Sequence, residues 1–398
     1  MDKIDELLTR GVDTIYPSKE ELEKVLRSGK KIKLYQGFDP TGTQLHIGHA
    51  VAINTLRRFQ ELGHEVIFLI GDGTGQAGDP SGKTHARHKF FEQKELRENA
   101  RDYVMQAGKI VNFGGDNPVK VLYNGDWLNE MRLAEILNVA GYFSVQQFLE
   151  RDMYQERMKL GESVNLREFL YPLLQAYDSV AMKVDLEVGG TDQTFNMLAG
   201  RTLVKAMQGR NKFVLTVPLL ADSSGRKIGK SEGNVIGITD KPEDLYGKIM
   251  SLPDSAIVPC FELITNLSMA EVEKIKNELK SDSANPMEYK KRLACQIVEL
   301  YNDVGAAAAA QRFFETKYQD GNKDKAAEDV AISESMGITA LIGVLDRNRS
   351  SSDIKRLVKQ SGVRINGERI ENISFVYEPK DDDIIEIGKH KVFRVKSK

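Results

Sequence analysis

The chain reads as an α/β protein. An open parallel sheet carrying a helical insertion comes first, then an all-α segment, then a small α+β unit. Three observations predict this. A strand–helix–strand pattern occupies residues 31–72, helical periodicity runs through 241–320, and two hairpin patterns close the chain. At 398 residues the chain also exceeds what one core usually supports, so several domains are expected.

The elements follow in order. "KIKLYQGF" (31–38) is apolar and aromatic, bounded by Gly37 and Pro40, and reads as a strand. From Ile47 to Leu62 the apolar residues Ala52, Leu56, Phe59 and Leu62 recur at helical spacing, and Gly63 supplies the stop. "EVIFLIGD" (65–72) is a continuous apolar run, as in a strand buried on both faces. Together they make a βαβ unit. Helical patterns follow at 127–139, 144–160 and 166–181, with strands at 184–188 and 213–220. In the 166–181 helix, Leu170, Leu174, Tyr177 and Ala181 form the expected core stripe, with Tyr171, Gln175 and Asp178 as a polar stripe beside it. The polar stretch 319–336 reads as a linker. Beyond it come a short capped helix (351–362), a turn at Asn366-Gly367 and a hairpin in "IIEIGKHKVFRVK".

Composition is ordinary for a globular protein, 41% hydrophobic and 29% charged with net charge −2. No apolar run approaches a membrane span, and the charged N-terminus lacks the apolar core of a secretory signal. Cys260 and Cys295 are too few for a disulfide framework, so a cytoplasmic protein is expected. Residues 346–369 hold seven basic and three acidic residues, leaving +4 and suggesting an anionic macromolecular partner. A solvated charged face is the competing explanation of that run.

The chemistry concentrates in four stretches. "DPTGTQLHIGH" (39–49) sets His46 and His49 three residues apart at the first turn of a helix. Metal binding lacks third and fourth ligands, and His85 and His88 repeat the spacing without special context. General base catalysis lacks an orienting carboxylate. Anion binding fits best, because free backbone N–H groups and the positive end of the helix dipole meet there, and Gly48 lets a ligand approach the backbone. "GDGTGQAGDPSGKT" (71–84) contains a G-x-G-x-x-G match at Gly73, Gly75 and Gly78, but no helix pattern opens within it. Its "GKT" has Ala77 where a P-loop needs glycine. What remains is a loop at the end of a strand carrying Asp79, Lys83 and Arg87. "GGTDQ" (189–193) would bring Asp192 and Gln193 to the same crevice. "SSGRKIGKSEGN" (223–234) is a Gly- and Ser-rich loop with Lys227 and Lys230, suited to closing over a polyphosphate or, equally, to lying in solvent.

Taken together, these pieces resemble a class I aminoacyl-tRNA synthetase. "HIGH" (46–49) matches the first signature of that class, and "KIGKS" (227–231) resembles the second, usually KMSKS, departing at Ile228 and Gly229. Within the class, "YQGFDPTGTQLHIGH", "GDPSGK", "YPLLQAYD" and "GGTDQ" are similar to bacterial tyrosyl-tRNA synthetases, over most of the chain and in order.

The resemblance implies a Rossmann-like catalytic domain over 1–225, with a helical dimer-interface insertion at about 115–170. A signature loop and helical anticodon-binding domain would follow over 226–320, then a linker at 321–336 and a small RNA-binding domain at 337–398. It implies ATP-dependent attachment of L-tyrosine to tRNA(Tyr) through a tyrosyl-adenylate, with Mg2+ accompanying ATP, in a homodimer. By resemblance, Thr41, His46, His49, Lys83, Arg87, Lys227 and Lys230 would serve the phosphates and ribose. Tyr35 and Asp178 would hold the phenol hydroxyl, Asp79, Tyr171 and Gln175 the α-amino group, and Gln193 the substrate. Gly37, Asp39, Gly48, Asp192, Lys230 and Ser231 would line the ATP side. Arg347, Arg349, Lys355, Arg356, Lys359 and Arg364 would grip tRNA. The sister tryptophanyl enzyme and a non-catalytic RNA-binding descendant are the rival readings. An oxidoreductase on the same kind of sheet would rest on the single glycine motif.

Overall fold

The structure is a computed structural model that describes residues 2–81, 90–221, 228, 230–231, 234–281, 284–318, 327–346, 349–388 and 391–396. The chain forms two compact units, Met1–Ala307 and Ala308–Lys398.

The first unit is built on a six-stranded sheet: β1 (Thr14–Tyr16), β2 (Lys33–Phe38), β3 (Glu65–Ile70), β4 (Lys120–Tyr123), β5 (Leu186–Gly190) and β6 (Phe213–Val217). The spatial order is β1-β6-β5-β2-β3-β4. All neighbours are parallel except β1, which runs antiparallel to β6. β3 is apolar from Val66 to Ile70 and buried over that run, as a strand covered on both faces in a parallel sheet should be, and β2 is buried over Leu34–Gln36 and at Phe38. They pair in register from Lys33↔Glu65 to Phe38↔Ile70. The chain winds outward from β2 in one direction and from β5 in the other. The order therefore reverses between β2 and β5, where Tyr35 pairs with Glu187. Crossover helices diverge at such a point and leave a crevice beyond the carboxyl ends of the strands.

Helix Ile47–Glu61 links β2 to β3 and is buried almost all round. Gly63, at φ +76°, ends the turn after it in the left-handed conformation that glycine adopts without strain. The patterns at 127–139 and 144–160 are broken into shorter pieces: Gly125–Leu128, Leu133–Ala140, Val145–Leu149 and Asp152–Lys159. Ser144 caps one of them by accepting the Gln147 N–H. The 71–84 loop holds a single helical turn, Thr74–Ala77, which its glycines concealed. After β6, helices Pro242–Met250, Ile257–Ile264, Met269–Glu278, Pro286–Tyr301 and Val304–Tyr318 bear out the helical reading of 241–320.

Helix Leu166–Met182 corrects the sequence reading. Its expected core stripe faces outward at Leu170 and Ala181, while the polar stripe is the buried one: Tyr171 is 7% exposed and Asp178 1%. The rule that apolar faces turn inward fails here because the inward face borders a polar cavity. The helix packs against helix Thr194–Gln208 through Leu173, Ala176 and Val180 on one side and Ala199, Leu203 and Val204 on the other.

The second unit contains a five-stranded sheet ordered Glu368–Arg369, Val363–Ile365, Ile384–Ile387, Lys391–Lys396, Glu328–Ala331, with helices Ile338–Leu345 and Ser351–Lys359 against it. Asn366 and Gly367 take φ of 50° and 86°, the two positive values that a tight type I′ hairpin requires. Strand Glu328–Ala331 falls in the stretch read as linker. It is mostly exposed and follows no alternation, and its strand conformation comes from parallel pairing with Lys391–Lys396. The core is aliphatic, centred on Ile338, Leu341, Ile342, Val358, Ile385 and Val395. No helix among the described residues is long and apolar enough to cross a membrane.

Candidate active site

The stretch 39–49 makes the turn from β2 into helix Ile47–Glu61. His46 is the residue before the helix, and its Nδ1 accepts the Gly48 N–H at 3.1 Å. In return, His49 Nδ1 accepts the His46 N–H at 3.2 Å. An imidazole nitrogen that accepts cannot carry the proton, so each ring keeps its hydrogen on Nε2. The rings stack with centroids 3.8 Å apart. A side chain at Gly48 has no room, since a Cβ would lie 2.9 Å from the His46 ring. The motif is thus a reciprocal cap at the positive end of a long helix.

Backbone bonds tie this tip to the segment after the Gly- and Ser-rich loop. Ile47 N–H donates to the Ile236 carbonyl at 3.0 Å, Ile238 N–H to the Leu45 carbonyl at 3.1 Å, and His46 bridges Gly237. The helix tip is thereby joined to a segment nearly two hundred residues away in sequence. The backbone of Lys230–Ser231 pairs with Asn234–Val235 as a small hairpin, and Ile228 is buried at the edge of the cavity. Lys83, Arg87 and Lys227 lie outside the described residues.

A cavity of about 360 Å³ opens at the carboxyl ends of β2 and β5, next to the helix tip. Thr41, His46, Gly48 and His49 line one part of it, with Gly37 and Asp39 following from β2. Nothing within van der Waals contact limits Gly37 except Leu69 at 4.0 Å, so a larger residue there would project into the space. Tyr35, Asp79, Tyr171, Gln175, Asp178, Asp192 and Gln193 also line it. All the candidate amino-acid contacts therefore meet in one place.

Their polar groups are closely arranged. Asp79 accepts from Gln193 Nε2 at 2.8 Å and from the Ser81 N–H at 2.9 Å. Asp178 accepts from Asn124 Nδ2 at 3.0 Å and Trp127 Nε1 at 2.9 Å. Burial pushes its carboxyl well above the usual range, with those two donors opposing. Burial likewise raises the Tyr35 and Tyr171 phenols, helped by nearby carboxylates: Glu187 and Asp178 for Tyr35, Asp39 and Asp79 for Tyr171. Both phenols therefore stay protonated at neutral pH.

Several residues of the site escaped the sequence reading. Asn124 and Trp127 hold Asp178. Ser179 lies 3.0 Å from the Tyr35 oxygen, and Arg151, buried against Phe195, reaches Ser81 at 3.1 Å. Glu187 and Lys212 form a buried ion pair behind Tyr35. One signal was available for Glu187: a charged residue in the middle of a strand flanked by Leu186 and Val188.

A helix tip with capped histidines beside a polar cavity, both at the switch point of a parallel sheet, is where α/β enzymes of this architecture bind their ligands. Comparison with known proteins narrows the class. The chain belongs to the family of class I tRNA synthetases (W and Y), which matches residues 27–319. It is 38% identical to a tyrosine–tRNA ligase of Thermotoga maritima, covering 98% of this chain and 96% of that protein. Against the tyrosine–tRNA ligase of Methylococcus capsulatus the identity is 40%, over 95% of each. Among solved structures, the C-terminally truncated mitochondrial tyrosyl-tRNA synthetase of Aspergillus nidulans superposes with a TM-score of 0.65 at 25% identity. That match covers 79% of this chain and 94% of that one.

Proposed function

We propose that this cavity carries out both steps of tyrosine–tRNA ligation. The tyrosine carboxylate attacks the α-phosphorus of ATP and pyrophosphate leaves. The tyrosyl group then passes to the terminal adenosine of tRNA(Tyr) and AMP leaves. The observation that carries the activity is near full-length similarity to tyrosine–tRNA ligases. The nucleophile is already ionised, so the first step needs no general base. Catalysis is positioning plus stabilisation of charge on the departing pyrophosphate.

The cavity's geometry supports a division of labour. Thr41 and His46 meet the terminal phosphates and His49 the ribose side. By resemblance rather than by geometry, Lys227, Lys230 and Ser231 act from the stretch between β6 and helix Pro242–Met250, and Lys83 and Arg87 from the stretch that follows Asp79. Gly37, Asp39, Gly48 and Asp192 form the nucleotide wall. Tyr35 and Asp178 read the phenol hydroxyl, while Asp79, Tyr171, Gln175 and Gln193 hold the amino-acid end. Beside the Thr41 hydroxyl and the imidazoles of the helix tip, the nucleotide wall offers only the carboxylates of Asp39 and Asp192, too few for an all-protein magnesium cage. Mg2+ would therefore arrive on the ATP phosphates, neutralising their charge, with water filling its remaining positions.

A second copy of the chain fits the insertion. Leu133, Leu137, Val145, Leu160 and Leu166 are each more than 60% exposed, a concentration of apolar surface that a two-fold partner would cover. Replacing Leu137 and Leu166 with glutamate should convert a dimer to a monomer in sedimentation. A wild-type chain that sediments as a monomer would remove this part of the proposal. In the second unit, Lys355, Arg356 and Lys359 are exposed on helix Ser351–Lys359, as is Arg349 just before it, with Arg364 half-buried near by in sequence. They suit tRNA phosphates; Arg347 lies outside the described residues. A cytoplasmic setting belongs to the same reading.

ATP–pyrophosphate exchange with tyrosine, tryptophan and phenylalanine in parallel tests the assignment. Tyrosine alone should support exchange at low concentration. Preference for tryptophan would contradict it.

A further inference from the structure

Behind the amino-acid cavity, Lys212 and Glu187 are 0% and 2% exposed. The Lys212 ammonium donates to Glu187 Oε2 and, at 2.7 Å, to Ser179 Oγ. Ser179 Oγ in turn lies 3.0 Å from the Tyr35 oxygen. The other carboxylate oxygen, Glu187 Oε1, is 2.9 Å from the Gln175 side-chain amide.

A carboxylate only accepts, so the Gln175 atom facing it must be the NH2 group. That fixes the amide's orientation. Gln175 lines the cavity, and its remaining polar atom, the carbonyl Oε1, is buried with no hydrogen-bond partner among the described residues. A buried acceptor without a donor is costly unless a ligand supplies one.

The pair has a built seat. Gly200, inside helix Thr194–Gln208, leaves the space that the Lys212 ammonium occupies: a Cβ there would lie 2.5 Å from Nζ and 3.0 Å from Ser179 Oγ. A mid-helix glycine destabilises, and a buried ion pair is often no more stabilising than an apolar pair of the same volume. Stability alone does not explain the arrangement.

We propose that the Glu187–Lys212 pair is a positioning device for amino-acid recognition. Glu187 holds the Gln175 NH2 away from the substrate so that its carbonyl meets the substrate's ammonium group, and Lys212 holds Glu187 in place. This rests on the reading above that Gln175 touches the amino acid.

The test is the double variant Glu187→Gln with Lys212→Met, which removes both charges and leaves Gln175 free to turn over. It should fold, with the tyrosine KM in pyrophosphate exchange raised about tenfold or more, the loss of one hydrogen bond to a charged group. The ATP KM should not change. Inhibition by 3-(4-hydroxyphenyl)propanoate, which lacks the ammonium, should also be unchanged. Equal weakening of tyrosine and of that analogue, an unchanged tyrosine KM, or loss of the fold would each overturn the inference. Gln175→Ala, measured alongside, separates the two levels. If it leaves the tyrosine KM unchanged, the contact itself is wrong and both readings fall. If it raises the KM while the double variant does not, only the positioning role falls.

Discussion

In and behind the cavity at the carboxyl ends of β2 and β5, Asp178, Glu187 and Lys212 are almost closed to water, and each is held by named partners. The second unit also buries two carboxylates, Asp346 and Asp383, at 4% and 7% exposure, but its cations are placed differently. Its core is aliphatic, and the cations Lys355, Arg356 and Lys359 stand exposed on one helix. Under the proposed function, the contrast follows from what each region would recognise. Reading one hydroxyl or one ammonium requires desolvated partners whose geometry cannot drift, because only a buried group left unpaired penalises the wrong ligand. Attracting a polyanion requires charge that reaches through solvent, where exact placement matters little.

The sharpest break in the cavity is Asp178→Ala. Sites that bond a substrate hydroxyl reject the analogue lacking it by about 10⁴–10⁵, a figure that comes from tyrosyl enzymes themselves rather than from this cavity. The variant should lose most of its preference for tyrosine over phenylalanine in parallel kcat/KM measurements. Unchanged selectivity would locate the hydroxyl reader elsewhere. Next comes His46→Ala, which removes a donor from the helix tip. Loss of one such donor typically lowers a rate by about 10²–10³, and tyrosine affinity should be nearly untouched. Wild-type exchange rate with weakened tyrosine binding would reverse the assignment.

A smaller effect separates the two units by pH. Burial, with Lys31 near by, depresses the His64 imidazole to about 4. Its contribution to stability is therefore complete above the unfolded value near 6.5. It is lost as pH falls through the folded value, at most about 3 kcal/mol. In the second unit, burial pushes the Asp346 carboxyl up, but hydrogen bonds from Lys391 and Arg349 outweigh it and lower the pKa. That contribution survives until pH drops below the ordinary carboxylate value. Denaturant melts between pH 7 and 4 should show stability falling in the wild type and a flatter profile in His64→Gln. The mildest change is Lys355→Ala or Lys359→Ala. Each should weaken tRNA binding and reduce the salt slope by about one, leaving pyrophosphate exchange intact. An unaltered slope would mean that helix does not meet phosphate.

The same contrast explains what could be read in advance. β2, β3 and helix Ile47–Glu61 follow from apolar runs and a glycine stop, and the Asn366-Gly367 turn from its backbone chemistry. In helix Leu166–Met182 the apolar Leu173, Ala176 and Val180 pack inward. The polar Tyr171 and Asp178 are buried as well, where the helix borders the cavity, and periodicity does not distinguish a buried polar face from a solvated one. Lys212 looked like any charged residue before a strand; its partner Glu187 is twenty-five positions away, and only tertiary structure joins them. Strand Glu328–Ala331 has no pattern of its own, since pairing with Lys391–Lys396 creates it. The capping exchange between His46 and His49 was half visible: the spacing announced a helix start, but not that both Nδ1 atoms are used internally.

The most direct measurement is a crystal structure with ATP and tyrosinol, which lacks the carboxylate and cannot react. The terminal phosphates should sit at Thr41 and His46, with the phenol oxygen between Tyr35 and Asp178 and the ammonium against the Gln175 carbonyl. Phosphates bound away from the helix tip, or a ring turned end for end in the cavity, would contradict the account.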